Sequence, residues 1–211
     1  MTLHKEKIDS FWKRRTEIKD VKIAANYRDD GRLAYDSQWV RQLIKPGSRI
    51  LDLGAGTCQL SLQLLDLASE ILAVEKHAGF FDLVPDYTNL IKHQADILEF
   101  SSAEQFEAIL IFGVINFISE AEEMALYKKC HTLLKPGGFL LVKNQCSIHK
   151  ELIIDSYSEA LADHYHARYP QVDHQQKLLT QYFNVKRFDI YPSHLNLWEN
   201  THFYAFSAEK I

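Results

Sequence analysis

The run Ile50-Leu51-Asp52-Leu53-Gly54-Ala55-Gly56-Thr57-Cys58-Gln59-Leu60-Ser61 constrains the fold more than any other part of this chain. An apolar segment from Arg49 to Leu53 meets two glycines one residue apart, and Leu60, Leu64, Leu67 and Ala68 follow at helical spacing. That order predicts a strand, a tight turn and a helix. Glycine at 54 and 56 permits positive φ and removes Cβ, so a ligand can approach the backbone where a helix presents free N–H groups. Such a turn suits a nucleotide-like, anionic ligand.

The dinucleotide fingerprint G-x-G-x-x-G would need a third glycine where this chain has Gln59, so that reading is disfavoured. With Asp52 two residues ahead of Gly54, the pattern is D-x-G-x-G, which resembles motif I of the class I S-adenosylmethionine (SAM) dependent methyltransferases. That family often carries one more glycine, at the position occupied here by Cys58.

Composition limits the alternatives. A chain of 211 residues, 46% hydrophobic and 25% charged, is long enough for one α/β domain and too short for two. Lys+Arg number 24 against Asp+Glu 28, a net charge of −4, which gives no overall positive field for nucleic acid. Cys58, Cys130 and Cys146 lie far apart without C-x-x-C spacing, against both a disulfide framework and a zinc site, and the expectation is a cytoplasmic protein. No apolar run approaches membrane-spanning length, and the amino terminus, with Lys5, Glu6, Lys7, Lys13 and Arg14, lacks the apolar core of a signal peptide.

Along the chain, Ile8, Phe11, Trp12 and Arg15 share one face of a predicted helix, which suits equally an edge helix or a lid over the site. Tyr27 follows in a polar turn, either touching the cofactor or exposed in a loop. Ile71-Leu72-Ala73-Val74 reads as a second buried strand with Glu75 at its carboxyl end. Parallel strands bring such ends together, so Glu75 arrives beside the glycine turn, where a carboxylate can accept both ribose hydroxyls. Lys76 and His77 would border the adenine. Gly79 to Val84 predicts a short helix, and Asn89 to His93 a third strand. Asp96 resembles the family's adenine-binding acid, with Ile97 packing on the ring; the plainer reading of Asp96 is a helix cap.

Phe106 to Gly113, nearly all apolar, is the fourth strand. The Asn-Pro-Pro-Tyr corner of adenine and glutamine N-methyltransferases does not occur after it, which disfavours DNA adenine methylation, and Asn116 either faces the substrate or caps the turn. Ser119-Glu120-Ala121-Glu122 fits a capping box. The phrase Leu-Leu-Lys-Pro-Gly-Gly-Phe-Leu-Leu-Val, from Leu133 to Val142, resembles the family's connection into a fifth strand that ends at Lys143.

From Asn144 to Phe183 the spacing of Ile153, Tyr157, Ala160, Leu161 and His164 predicts a helix, broken at Pro170, with Leu178, Leu179, Tyr182 and Phe183 on another. On a helix, His164 and His166 would point apart, so no metal is expected. His149, just past the fifth strand, is either a general base or a surface histidine. Val185 to Tyr191 and Thr201 to Phe206 read as two strands; they resemble the antiparallel pair that sets the methyltransferase sheet apart, with Trp198 and His202 available to close the pocket.

The resemblance covers about residues 48–207. It implies a Rossmann-like, seven-stranded α/β sheet, mostly parallel with an antiparallel last strand and helices on both faces. The expected divisions of this single domain are a helical lid over 1–45, a SAM-binding core over 46–143, a helical substrate-side insertion over 144–183 and a terminal hairpin over 184–211. Cofactor contacts are expected from Asp52, Gly54, Ala55, Gly56, Glu75, Lys76, Asp96, Ile97, Phe112, Gly113 and Tyr27. The implied reaction is in-line transfer of a methyl group to an oxygen, or a nitrogen, of a small polar metabolite or sugar derivative. A base is needed only for a protonated nucleophile, and His149, Asn116 and His202 are the candidates. The alternatives are a catalytically silent SAM-binding regulator and, less well matched, an NAD-dependent oxidoreductase. Oligomeric state and acceptor identity are left open.

Overall fold

In the computed structural model, residues 3–25, 31–159 and 161–210 are described. Three helices come first, α1 (Lys5–Arg15), α2 (Val21–Ala24) and α3 (Arg32–Leu43). The sheet then builds from β1 (Ser48–Leu53), the short α4 (Gln59–Leu62), β2 (Ala68–Glu75), β3 (Leu90–Gln94) and β4 (Phe106–Phe112). After α5 (Glu120–Leu133) come β5 (Leu134–Ser147), β6 (Leu152–Ser158), β7 (Asp163–Tyr169), α6 (Val172–Leu179), β8 (Asn184–Phe188) and β9 (Thr201–Glu209).

Seven strands form one sheet in the order β3-β2-β1-β4-β5-β9-β8. The first five run parallel, and β9 pairs antiparallel with both β5 and β8. Strand order reverses between β1 and β4, and ligands of open α/β sheets occupy the crevice at such a point, past the carboxyl ends. Alternating residues feed two apolar layers. Leu51, Leu53, Ile109, Ile111 and Val142 pack toward α5 and α6, whereas Ile50, Ala108, Leu110 and Leu141 pack against Trp39 and Val40 of α3. The capping box at Ser119 forms, with Ser119 and Glu122 each bonding the other's backbone N–H.

Two predicted helices are corrected. The helix after the glycine turn closes after one turn, because Leu64 N–H bonds Ser61 O at 3.0 Å and Leu67 N–H bonds Leu64 O at 3.0 Å, and Ala68 already belongs to β2. The stretch from 144 onward is not a helical insertion. β5 runs to Ser147 and is followed by the β6–β7 hairpin, with Ile153 opposite Arg168 and Tyr157 opposite His164. A spacing of four residues keeps one face in a helix and in a strand alike, so Ile153, Tyr157 and Leu161 do not discriminate between them. Ala160 lies outside the described residues. The second helix expected after Pro170 does form, as α6, and ends at Leu179, before Tyr182 and Phe183.

The hairpin is held to the core by a buried polar chain. Arg168 of β7 pairs with Glu123 of α5, their side chains 3% and 0% exposed. Glu123 accepts from Tyr127 Oη at 2.8 Å, and Gln175 of α6 donates to Tyr127 Oη at 3.0 Å and to Asn144 Oδ1 at 3.0 Å. Helix α1 lies against the hairpin through Lys7–Asp155 at 2.6 Å, Arg14–Asp163 at 2.8 Å and an edge contact of Phe11 with Tyr165. Replacing Arg168 by Met strands the Glu123 carboxylate in the core, so stability should fall by about 3–5 kcal/mol, read from the urea midpoint.

Candidate active site

The glycine turn is formed by backbone bonds to the next strand: Gly54 N–H and Ala55 N–H both donate to Val74 O, at 2.8 and 3.1 Å. Gly54 has φ +80°, and a Cβ there would meet Val114 Cγ2 at 2.5 Å, so only glycine fits. Gly56 also has positive φ, and Cys58 sits at φ 55° as the residue ahead of α4. A glycine at that position would relieve that left-handed strain of about 1 kcal/mol.

Glu75 closes the turn from the end of β2. Its Oε2 accepts Gly56 N–H at 3.0 Å and its Oε1 accepts His77 N–H at 2.9 Å. Burial pushes its carboxyl up from the ordinary range, against the pull of those backbone N–H groups. Asp52 is buried alongside and accepts Ser61 Oγ at 2.6 Å; burial, reinforced by the Glu75 charge, pushes its carboxyl up to about 6.

A cavity of about 990 Å³ opens over the carboxyl ends of these strands. Asp52, Gly54, Ala55, Gly56, Glu75, Lys76, Asp96, Ile97, Phe112 and Gly113, all expected at the site, line it together. Asp96 caps a turn, its Oδ1 accepting Leu98 N–H at 3.0 Å, and the residue also lines the cavity. Lys76 stands between Asp9 Oδ1 at 2.7 Å and Asp96 Oδ2 at 3.5 Å. Ile8, Asp9 and Trp12 of α1 line the cavity as well, so that helix lies over the crevice rather than at a remote edge. Tyr27 lies outside the described residues.

The catalytic candidates fare differently. Asn116 reaches the cavity wall, but its Nδ2 donates to Gln145 O at 2.8 Å and Arg168 O at 2.7 Å, which ties β5 to β7. His149 is exposed and is not among the lining residues. His202 is also absent from the lining; it stacks on Tyr204 and bonds Asp189 Oδ2 at 2.9 Å, because alternate residues of β9 face opposite sides of the sheet and Thr201 and Phe203 take the cavity side. Trp198 does line it. On strand β7, His164 and His166 share a face, 3.7 and 3.6 Å from Asp155 Oδ1, and among the described residues no group of three or more ligating side chains could hold a metal.

Lys143, Arg32, Gln145, Phe117, Tyr165 and Tyr169 were not anticipated, although all line the cavity. A signal for Lys143 was present: it follows the apolar run Phe139 to Val142, and in the structure it lies within β5 opposite Phe112, the last residue of β4. Arg32 and the tyrosines arrive from distant elements and carry no local signature.

Residues 50–138 match the family described as a methyltransferase domain. No curated protein matches the chain by sequence. Among solved structures, the DhpI complex with SAH, S-adenosyl-L-homocysteine, superposes with TM-score 0.73 at 14% identity, covering 98% of this chain and 97% of that one. The glycopeptide N-methyltransferase MtfA with S-adenosyl-L-homocysteine gives 0.68 at 17% identity, covering 86% and 90%. N-methyltransferase NodS from Bradyrhizobium japonicum WM9 gives 0.63 at 13%, covering 87% and 99%. The fold shared with them is the class I methyltransferase sheet. Gly54→Ala should cost about 1–2 kcal/mol from backbone strain alone and more from the Val114 clash; thermal unfolding of Gly54→Ala beside Gly54→Ala/Val114→Ala separates the two, the double variant recovering the clash.

Proposed function

We propose that this SAM-dependent methyltransferase transfers its methyl group to an oxygen, or a nitrogen, of a small polar acceptor enclosed beside the cofactor. One observation carries this reading: the glycine-loop end of the cavity continues, without a partition, along a second wall made of Gln145, Tyr165, Tyr169 and Phe203. At about 990 Å³ it is as large as small-molecule sites become, the usual range being ~300–1,000 Å³. A cofactor and a compact acceptor suit that volume.

Bound SAM supplies an activated methyl on a sulfonium, so the residues of this chain have mainly to bind, orient and exclude water. Gly54 and Gly56, which lack Cβ atoms, leave room for the methionine portion beside Ala55. Asp52 offers a carboxylate to its amino group. Each oxygen of Glu75 has accepted one backbone N–H and retains a second lone pair for the ribose hydroxyls. Asp96 and Ile97 take the adenine, while Phe112 and Gly113 at the end of β4 border the reacting methyl. Helix α1 and the β6–β7 hairpin cover the cavity and keep water from it. None of the three polar candidates stands as a base, which suits an acceptor whose nucleophile needs little deprotonation.

The charge on Asp52 gives a pH signature. Its carboxyl titrates at about 6 in the ligand-free protein. A cationic amino group beside it favours the ionised form, so binding near that pH releases a proton and affinity rises as pH increases from 5 to 7. Calorimetry with SAM across this range should show the rise, and Asp52→Asn should flatten it. Glu75→Ala removes the ribose acceptor and the anchor of Gly56 together; SAM affinity should fall by at least about ten-fold. Transfer of labelled methyl from SAM across a panel of small hydroxyl and amine acceptors tests the reading as a whole. SAM binding with no transfer to any acceptor would instead favour a silent regulatory protein.

A further inference from the structure

Helix α1 covers part of the cavity, and its first turn is tied down by a buried histidine. His4 is the residue ahead of the helix: its carbonyl receives Ile8 N–H at 3.2 Å, and its own side chain makes no capping bond. The backbone N–H of His4 donates to Nε2 of His166, on strand β7, at 2.8 Å. The His166 side chain is 2% exposed, and the two imidazole rings lie 5.3 Å apart. Because Nε2 accepts, the neutral ring carries its hydrogen on Nδ1, which stands 3.6 Å from Asp155 Oδ1. The ring then has one lone pair, and the helix occupies it.

A further proton has only Nε2 to go to. There it would meet the His4 N–H, two donors facing each other across 2.8 Å, so the imidazolium and this hydrogen bond exclude one another. The charged groups around the ring add to the effect. Asp155 of β6 attracts an imidazolium, but it already pairs with Lys7 of α1 at 2.6 Å, and His164 of β7 places Nδ1 3.7 Å from it. A ring drawn toward Asp155 therefore competes with a second tie of the same helix. The His4 and Lys7 charges oppose protonation. Arg168, two residues along β7, pairs with Glu123 and Glu151, and Lys5 of α1 with Glu122 of α5. Burial, against the pull of Asp155, holds the His166 imidazole below the usual histidine range. Docking thus favours the neutral ring, and by linkage it weakens as pH falls below about 6.5, the ordinary histidine value. His77 has the opposite sign: its Nε2 is 3.7 Å from Asp9 Oδ1, and a proton there would strengthen the hold on α1.

We infer that a proton and the first turn of α1 compete for His166 Nε2, so that acid frees this turn and uncovers the side of the cavity lined by Lys5 and Ile8. This switch belongs to the ligand-free fold and does not depend on the proposed reaction.

Amide hydrogen exchange of the ligand-free protein, expressed as protection factors at pH 7 and pH 5, tests it. Protection from Ile8 to Trp12 should fall by about ten-fold in acid, while that of β1 stays, which separates release of the helix from acid unfolding. Without SAM present, the amino-group effect at Asp52 does not enter. His166→Gln keeps an acceptor that takes no proton and should hold α1 equally at both pH values, whereas His166→Phe should leave it loose at both. His164→Gln and His77→Gln should retain the acid loss. The native protein supplies a second reading: the midpoint of the His166 ring titration, followed by NMR, should coincide with the loss of protection. Constant protection of α1 in the native protein, an acid loss that survives His166→Gln, or two separate midpoints overturns the inference.

Discussion

The site depends on one carboxylate bridging two strands. Glu75 ends β2 and accepts an N–H from the glycine turn that follows β1, and one from its own following residue. Parallel pairing in register, Leu53 opposite Val74, delivers both partners to the same height. A buried carboxylate is costly unless its lone pairs are satisfied. Here the backbone satisfies it, and in doing so fixes the shape of the turn. The same group therefore shapes the cradle and presents itself to whatever lies in it.

The cover over the cavity follows another rule. Residues after β5 leave the main sheet and form a separate hairpin, which cannot be stable alone. Its attachment is polar and buried, from Arg168 through Glu123, Tyr127 and Gln175 to Asn144 on β5. Helix α1 then docks on the outer side by ion pairs of more exposed residues. The inner tie is buried and polar; the outer one combines solvent-screened ion pairs with the buried Phe11 packed against Tyr165.

Much of the glycine-turn end of the cavity was legible because its signals are local. A glycine at 54 is required by a Cβ clash and a positive φ, and an acid at the end of an apolar strand is visible in any sequence. Asp96 caps a turn with one carboxylate oxygen while the other stands 3.5 Å from Lys76 at the cavity lining. The opposite end of the cavity was far less legible. His149 and His202 looked suitable as residue types, yet which side of a strand a residue faces depends on register and on where the strand begins. The hairpin was read as helix because the spacing of its apolar residues is common to both periods.

By itself the sequence determined the strand and glycine turn at 49–56, the apolar strands that follow it, the capping box at Ser119 and the acid at the end of β2, because each follows from short-range periodicity and backbone stereochemistry; the antiparallel last strand was legible only through the family resemblance, and the β6–β7 hairpin was not legible at all. Only the tertiary structure decided what faces the second half of the cavity. Arg32, Lys143, Tyr165 and Phe203 come from α3, β5, β7 and β9, elements far apart in the chain. Their meeting is a consequence of packing and sheet order, which no local pattern encodes.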